Sequence, residues 1–88
     1  MPYRVEISPP AAKDLKHLPP QLCQRLEQDI LPLAGNPYPD GVRKIQGAER
    51  AYRIRAGSYR VIYEVYKEQK VIVILRVARR SKSTYKGI

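Results

Sequence analysis

Apolar and polar residues alternate along several segments of this chain, and the period of that alternation predicts its secondary structure. Near the N-terminus, Tyr3, Val5 and Ile7 are separated by Arg4 and Glu6. A period of two is typical of a half-buried β-strand, because successive side chains of a strand point to opposite faces of the sheet. We therefore expect a short first strand.

Two helices are predicted next. Ser8 before a Pro-Pro pair indicates an N-cap with proline in the first turn, and this helix should run from about Pro9 to Leu18. A second Pro-Pro pair, at residues 19 and 20, forces a turn. Beyond that turn, apolar residues at spacings of four and three form one stripe on a second helix: Leu22, Leu26, Ile30 and Leu33. Pro32 should kink or end this helix, which gives a helical hairpin followed by a turn-rich connector.

From residue 42 onwards the pattern predicts strands separated by short turns. The strands are Val42 to Ile45, Arg50 to Ala56, Tyr59 to Tyr66 and Val71 to Ala78, with Gly57-Ser58 as a candidate hairpin turn. The fold class is therefore α+β, with an antiparallel β-sheet made of the N-terminal strand and a C-terminal meander. The helical hairpin packs on one face of this sheet. We expect residues 1–88 to form a single domain, because the chain is too short for a second module.

Alternation also predicts which side chains face the helices. The residues expected under the helical hairpin are Tyr52, Ile54, Val61, Tyr63, Val65, Val71, Val73, Leu75 and Val77. The opposite face then receives five arginines and three isoleucines: Arg53, Arg55, Arg60, Arg76, Arg80, Ile62, Ile72 and Ile74. An apolar strip beside a basic one on the same face favours a binding partner.

Positive charge is concentrated in the predicted meander. Residues 43–88 contain 13 Lys and Arg and three acidic residues, a net charge of +10, whereas residues 1–42 have a net charge of −1. Clustered Lys and Arg attract phosphate groups through long-range fields and counterion release. Nucleic acid is therefore the first candidate partner.

Other features of the sequence indicate the cell compartment and argue against a metal site. Cys23 is the single cysteine, so the chain has neither an intramolecular disulfide nor a thiolate cluster for zinc. The N-terminal segment has no apolar run of signal-peptide length, and the longest apolar run, Val71 to Leu75, is too short to span a bilayer. We expect a cytoplasmic protein that uses no metal ion and no cofactor and does not associate with a membrane.

Several segments, in this order, resemble the RelE/ParE superfamily of bacterial toxins. NPYPDG matches a turn-rich connector, and KIQG (Lys44 to Gly47) is similar to the family's Lys-Leu-x-Gly. YRIRAGSYRVIYEV resembles the family's two central strands with their Gly-x-Tyr-Arg turn, and VARRSKSTY resembles its last strand, basic pair and terminal tyrosine. The resemblance covers nearly the whole chain and implies the same fold.

The resemblance also implies an activity, since the RelE branch cleaves messenger RNA on the ribosome and the ParE branch inhibits DNA gyrase. A tyrosine after the basic pair favours the RelE branch, a metal-independent endoribonuclease that inhibits translation. By position, the implied catalytic residues are Arg60, Arg80, Tyr85, Arg53 and Arg55, and the implied RNA-binding residues are Lys44, Arg76, Arg79 and Lys82. The alternatives are a ParE-type gyrase inhibitor and a non-catalytic relative that binds nucleic acid or an antitoxin.

Cleavage of RNA without a metal needs a base for the 2′-OH, an acid for the leaving 5′-oxygen and positive charge on the phosphoryl oxygens. Arg60, with Arg53 or Arg55, suits the third role, because a guanidinium binds two phosphate oxygens at once. Arginine, with a pKa of about 12.5 or more, is a weak general base, which leaves Tyr85 to donate a proton or to stack on a base. The implied partners are messenger RNA, the ribosome and a cognate acidic antitoxin, in a hetero-oligomer that binds its own operator DNA through the antitoxin.

Overall fold

Secondary structure elements follow the predicted order in the computed structural model, which describes residues 2–79. The helices are α1 (Pro9–Lys16), α2 (Pro20–Ile30) and a 3₁₀ helix (Leu31–Ala34). The strands are β1 (Arg4–Ile7), β2 (Arg43–Lys44), β3 (Ala51–Ala56), β4 (Tyr59–Tyr66) and β5 (Val71–Arg79). The predicted α+β fold is confirmed. Within the described residues, no helix is long and apolar enough to cross a membrane.

Local sequence explains where the helices begin and end. The Ser8 side chain caps α1 by accepting a hydrogen bond from the Ala11 amide at 3.3 Å, as the N-cap prediction required. Pro32 changes the helix type, because α2 ends at Ile30 and the chain continues as one 3₁₀ turn. A proline inside an α-helix cannot donate the backbone hydrogen bond to the preceding turn, which explains this change.

The five strands form one sheet in the order β1-β5-β4-β3-β2. Strands β2 to β5 form the predicted antiparallel meander. The prediction of an antiparallel arrangement is wrong for β1, which lies parallel to β5, with Arg4 opposite Val71 and Ile7 opposite Ile74. The sheet is thus mostly antiparallel with one parallel pair. The helical hairpin supplies the long connection that a parallel pair needs.

The core lies between the helices and one face of the sheet, here called the inner face; the other is the outer face. The helical layer contributes Ala11, Leu26, Ile30 and Leu33. The inner face of the sheet contributes Ile54, Ala56, Val61, Tyr63, Val65, Ile72, Ile74 and Val77. The hydroxyl of Tyr63, which is fully buried, donates a hydrogen bond to the Pro37 carbonyl, so the largest core side chain is also satisfied.

Alternation predicts the inner face of β3 and β4 correctly but is wrong for most of β5. Ile72 and Ile74 are fully buried among the core residues, although the sequence pattern assigned them to the face of the arginines. Val71, Val73 and Leu75, expected under the helices, are only partly buried and lie outside the core cluster.

A β-bulge at Leu75 explains this error. Tyr63 lies opposite Ile74, whereas the preceding residue, Ile62, lies opposite Arg76, so Leu75 is an extra residue on β5. An extra residue reverses the alternation of the strand from that point on. Val77 therefore faces the core as predicted, while the residues before the bulge have the opposite orientation.

Candidate nucleic-acid interface

Four arginines line a cleft of about 380 Å³ formed by β2, β3, β4 and the loop before β2. The lining residues are Gly41, Arg43, Arg53, Ile54, Arg55 and Arg60, and we call this site the arginine cleft. Three of the residues predicted to be catalytic, Arg53, Arg55 and Arg60, are therefore brought together.

The strand register places these arginines in two pairs of like charge. Arg43 of β2 lies opposite Arg53 of β3, and Arg55 of β3 lies opposite Arg60 of β4. Directly opposite residues on neighbouring strands have Cβ atoms about 4.5–5.5 Å apart, and like charges at such positions destabilise a sheet. An anion bound between the paired guanidinium groups would offset their repulsion and form charge-assisted hydrogen bonds with them.

Arg60 differs from its neighbours in burial. Among residues 2–79 it is the one buried charged residue, with 6% of its surface exposed, whereas Arg43 and Arg55 are exposed. A charge in a poorly solvated position interacts more strongly with a ligand than one in bulk water. Arg60 is therefore the side chain best placed to stabilise negative charge on a bound phosphate.

Arg43 was not among the predicted site residues, although the predicted strand from residue 42 to residue 45 included it. Its position depends on the turn before β2, where Gly41 has a φ of +87°. Residues with a side chain rarely adopt this conformation, so glycine is favoured there for its backbone freedom. The turn directs the chain into β2, and Arg43 then faces Arg53.

Two residues predicted to bind RNA lie away from the arginine cleft. Lys44 is opposite Tyr52 in the ladder and lines a different cleft. The Arg76 guanidinium is bound by the Asp14 carboxylate through Nε at 2.8 Å and Nη2 at 3.1 Å. The charge of Arg76 is thus paired within the chain and is less available to a ligand.

Asp14 also binds the backbone of β5, because one of its oxygens accepts a hydrogen bond from the Val77 amide at 2.9 Å. Burial raises the pKa of the Asp14 carboxyl. The hydrogen bonds from Arg76 and Val77 and the charges of Arg76 and His17 outweigh burial, so the pKa of Asp14 lies below its ordinary value. The same hydrogen bond raises the pKa of Arg76. α1 is thereby fixed to β5 beyond the bulge.

The remaining predicted residues fall at or beyond the end of the described chain. Arg79 is exposed and lies opposite Tyr59 at the end of β5. Arg80, Lys82 and Tyr85 lie outside the described residues. Within residues 2–79, the side chains of the arginine cleft can bind and polarise a phosphate, but arginines are poorly suited to remove a proton at neutral pH.

Comparison with known families identifies the class of protein. The model of the family described as the ParE toxin of type II toxin-antitoxin systems, parDE, matches residues 5–84. The chain therefore belongs to this toxin family. Relatives with curated names include RelE toxins: the toxin RelE of Mycobacterium tuberculosis is 34% identical over 83 residues, covering 93% of this chain and 86% of that protein.

Solved structures of RelE toxins share the fold. One chain of the archaeal RelE-RelB complex from Pyrococcus horikoshii is 37% identical, with a TM-score of 0.80, over 93% of this chain and 99% of that one. A chain of the RelBE2 toxin-antitoxin complex from Mycobacterium tuberculosis is 29% identical, with a TM-score of 0.78, over 91% and 100%. The chain is thus a RelE-type member of the RelE/ParE superfamily.

Proposed function

We propose that this chain is the toxin of a type II toxin-antitoxin pair, and that it acts in the cytoplasm as a ribosome-dependent endoribonuclease that cleaves messenger RNA and stops translation. The observation that carries the proposal is the arginine cleft, in which two like-charge pairs surround one space and Arg60 is buried in its wall. Such a site is suited to a phosphate diester.

In the proposed reaction, the ribose 2′-OH attacks the neighbouring phosphorus, a 2′,3′-cyclic phosphate forms, and the 5′-oxygen leaves with a proton. Negative charge increases on the phosphoryl oxygens in the transition state. Arg60 and Arg55, which face each other across β3 and β4, would bind these oxygens. Removal of one such charged donor typically lowers a rate by a factor of about 10²–10³.

The described residues of the arginine cleft include no side chain suited to act as a general acid or a general base. Every titratable side chain of the arginine cleft is a guanidinium. Proton transfer to and from the RNA would therefore depend on Tyr85, the tyrosine implied by the family resemblance, or on groups of the ribosome. A ribosome that holds the message with its 2′-OH aligned to the phosphorus would supply positioning worth roughly 7–11 kcal/mol. We therefore expect weak cleavage of naked RNA.

The proposed partner in the resting cell is an acidic antitoxin. Relatives of this chain were solved as RelE-RelB toxin-antitoxin complexes, and residues 43–88 carry a net charge of +10. An acidic segment that covers the arginine cleft would relieve its like-charge pairs and block RNA at the same time. The antitoxin would also carry the complex to its operator DNA.

Primer extension on one message, with and without ribosomes and with EDTA at a level that leaves ribosomes intact, tests the proposal. We expect cleavage with ribosomes and little without them. Equal cleavage in both reactions would contradict the ribosome-dependent mechanism. The family description also names ParE, so a supercoiling assay on purified gyrase should accompany the test. Gyrase inhibition without RNA cleavage would assign the chain to the ParE branch.

A further inference from the structure

We propose that a second cleft, on the other side of β2, binds a further nucleotide of the RNA strand whose phosphate occupies the arginine cleft. This inference rests on the proposed function, because it extends the same RNA site around the edge of the sheet. The second cleft has a volume of about 650 Å³, and its lining includes three tyrosines, three cationic residues and two glutamates: Tyr38, Tyr52, Tyr66, Lys44, Arg50, Lys67, Glu49 and Glu68. We call it the tyrosine cleft.

The residues of the tyrosine cleft are those used for single-stranded nucleic acid. Tyr38 packs edge-on against Tyr52, with ring centroids 5.1 Å apart, so its ring is held in place. The Lys67 ammonium lies 5.5 Å from the Tyr38 ring centre, and the Arg50 guanidinium lies 5.1 Å from that of Tyr66. Proteins bind single strands by stacking bases on aromatic rings while cations contact the backbone phosphates.

A base can replace these cations on the rings at a net gain. A stacked base contributes more than a cation on an exposed ring, and the displaced cation remains close enough to pair with a phosphate. Lys67 is exposed and can move in this way. The tyrosines would thus exchange a weak intramolecular contact for a stronger contact with the RNA.

Acidic residues at the tyrosine cleft lower its affinity for the negatively charged RNA backbone. Glu49 and Glu68 also line it, and Glu49 lies 3.8 Å from the Arg50 guanidinium. Glu64, next to the lining residues, accepts a hydrogen bond from the Tyr66 hydroxyl at 2.8 Å. Within residues 2–79, no acidic side chain forms an ion pair with Lys44 or Lys67, which leaves these two lysines for a phosphate. With three cations and two acids in its lining, the tyrosine cleft is suited to extend the binding of a strand and not to anchor the strand alone.

β2 connects the two clefts. It is one of the two edge strands of the sheet and contains two residues, Arg43 and Lys44. Adjacent side chains of a strand point to opposite faces, and accordingly Arg43 lines the arginine cleft while Lys44 lines the tyrosine cleft. An RNA strand that leaves the arginine cleft over this short edge therefore passes from one cation directly to the next.

The test is an NMR titration of the protein with non-cleavable 2′-O-methyl RNA oligonucleotides of three and eight nucleotides. We expect the trimer to shift amide signals around Arg53 to Arg60, and the octamer to shift in addition those of Arg50 and of residues 66–69. We expect the octamer to bind about tenfold more tightly than the trimer. Octamer binding without shifts at residues 66–69 would overturn the proposal.

Variants separate the tyrosine cleft from the arginine cleft. Tyr66→Ala and Lys67→Ala should each reduce the octamer advantage at least threefold while trimer binding is kept, and Tyr66→Phe should keep the advantage. Lys13→Ala, which removes an exposed lysine of α1, is the charge control. Lys67→Ala changes an exposed position, so it remains informative if the Tyr66→Ala variant fails to fold. An unchanged octamer advantage in Lys67→Ala and in a folded Tyr66→Ala would overturn the proposal.

Failure of the proposed function gives a different result. Length-dependent binding without ribosome-dependent cleavage would support the tyrosine cleft as an RNA-binding site and contradict the proposed nuclease activity. The competing occupant is an acidic peptide of an antitoxin. If a glutamate-rich peptide shifts residues 66–69 and the octamer does not, the tyrosine cleft binds protein and the proposal is wrong.

Discussion

The inner and outer faces of this sheet are built from the same strands but follow different rules. On the inner face, apolar residues of β3, β4 and β5 pack against the helices. Four of them have no exposed surface: Val61, Tyr63, Ile72 and Ile74. On the outer face, two like-charge arginine pairs lie next to each other. The inner face therefore supplies most of the apolar burial that stabilises the fold, while the outer face places like charges side by side.

The largest effect should come from neighbouring residues of β5 that point to the two faces. Ile74→Ala removes a fully buried core side chain and should lower the free energy of unfolding by about 2–5 kcal/mol. Val73→Ala changes a partly buried residue of the outer face and should cost about 1 kcal/mol or less. Urea denaturation of the two variants measures this difference. Equal losses would contradict the bulge at Leu75.

The orientation of the residues in β5 could not be predicted from the sequence, whereas other parts of the fold could. The Ser8 cap, the helical hairpin and the meander depend on local residues, and local sequence patterns predict them correctly. The stretch VIVIL is apolar at every position, so alternation could not locate an extra residue within it. The ion pair between Asp14 and Arg76 joins residues 62 positions apart, and no local pattern indicates it.

The candidate site was partly predictable for a similar reason. Alternation within β3 and β4 brought Arg53, Arg55 and Arg60 to one face, because both strands are regular there. Arg43 joins them only through the pairing of β2 with β3 and the turn at Gly41, which are properties of the folded chain. Local patterns thus predict which face a side chain takes but not which distant residues share its cleft.

On the outer face, Arg60→Ala should lower ribosome-dependent cleavage at least tenfold, which corresponds to about 1.4 kcal/mol of transition-state stabilisation. The physical reason is the loss of the buried guanidinium from the arginine cleft. Lys13→Ala removes a positive charge from an exposed position of α1 and should leave cleavage within twofold. Full activity in a folded Arg60→Ala protein would remove Arg60 from the site.

Asp14 links the two faces, because it lies on the helical side and binds Arg76 and the Val77 amide of β5. Asp14→Asn should lower the free energy of unfolding by about 1 kcal/mol at pH 7, since it weakens charge-assisted hydrogen bonds to a half-exposed arginine. The pKa of Asp14 is depressed in the folded state, so its contribution is present above the ordinary value of 3.8 and is lost as pH falls through the lower folded pKa.

Thermal unfolding of parent and Asp14→Asn proteins between pH 7 and pH 2 measures that loss. The two melting temperatures should differ near neutral pH and converge at the acidic end of the range. Glu27→Gln, which removes an exposed carboxylate of α2, should show no such convergence. A difference that stays constant down to pH 2 would mean that the charge of Asp14 does not stabilise the fold.

The smallest and most specific effect should be a gain in stability on the outer face. Arg55→Thr removes one member of the Arg55 and Arg60 pair and places a good strand former at an exposed position, so the free energy of unfolding should rise by about 0.5 kcal/mol. Because the repulsion is screened by salt, the gain should shrink in 1 M NaCl, where the Debye length is about 3 Å. Cleavage should fall at the same time. A variant that loses both stability and activity would show that Arg55 supports the fold, and the contrast between the two faces would not extend to this position.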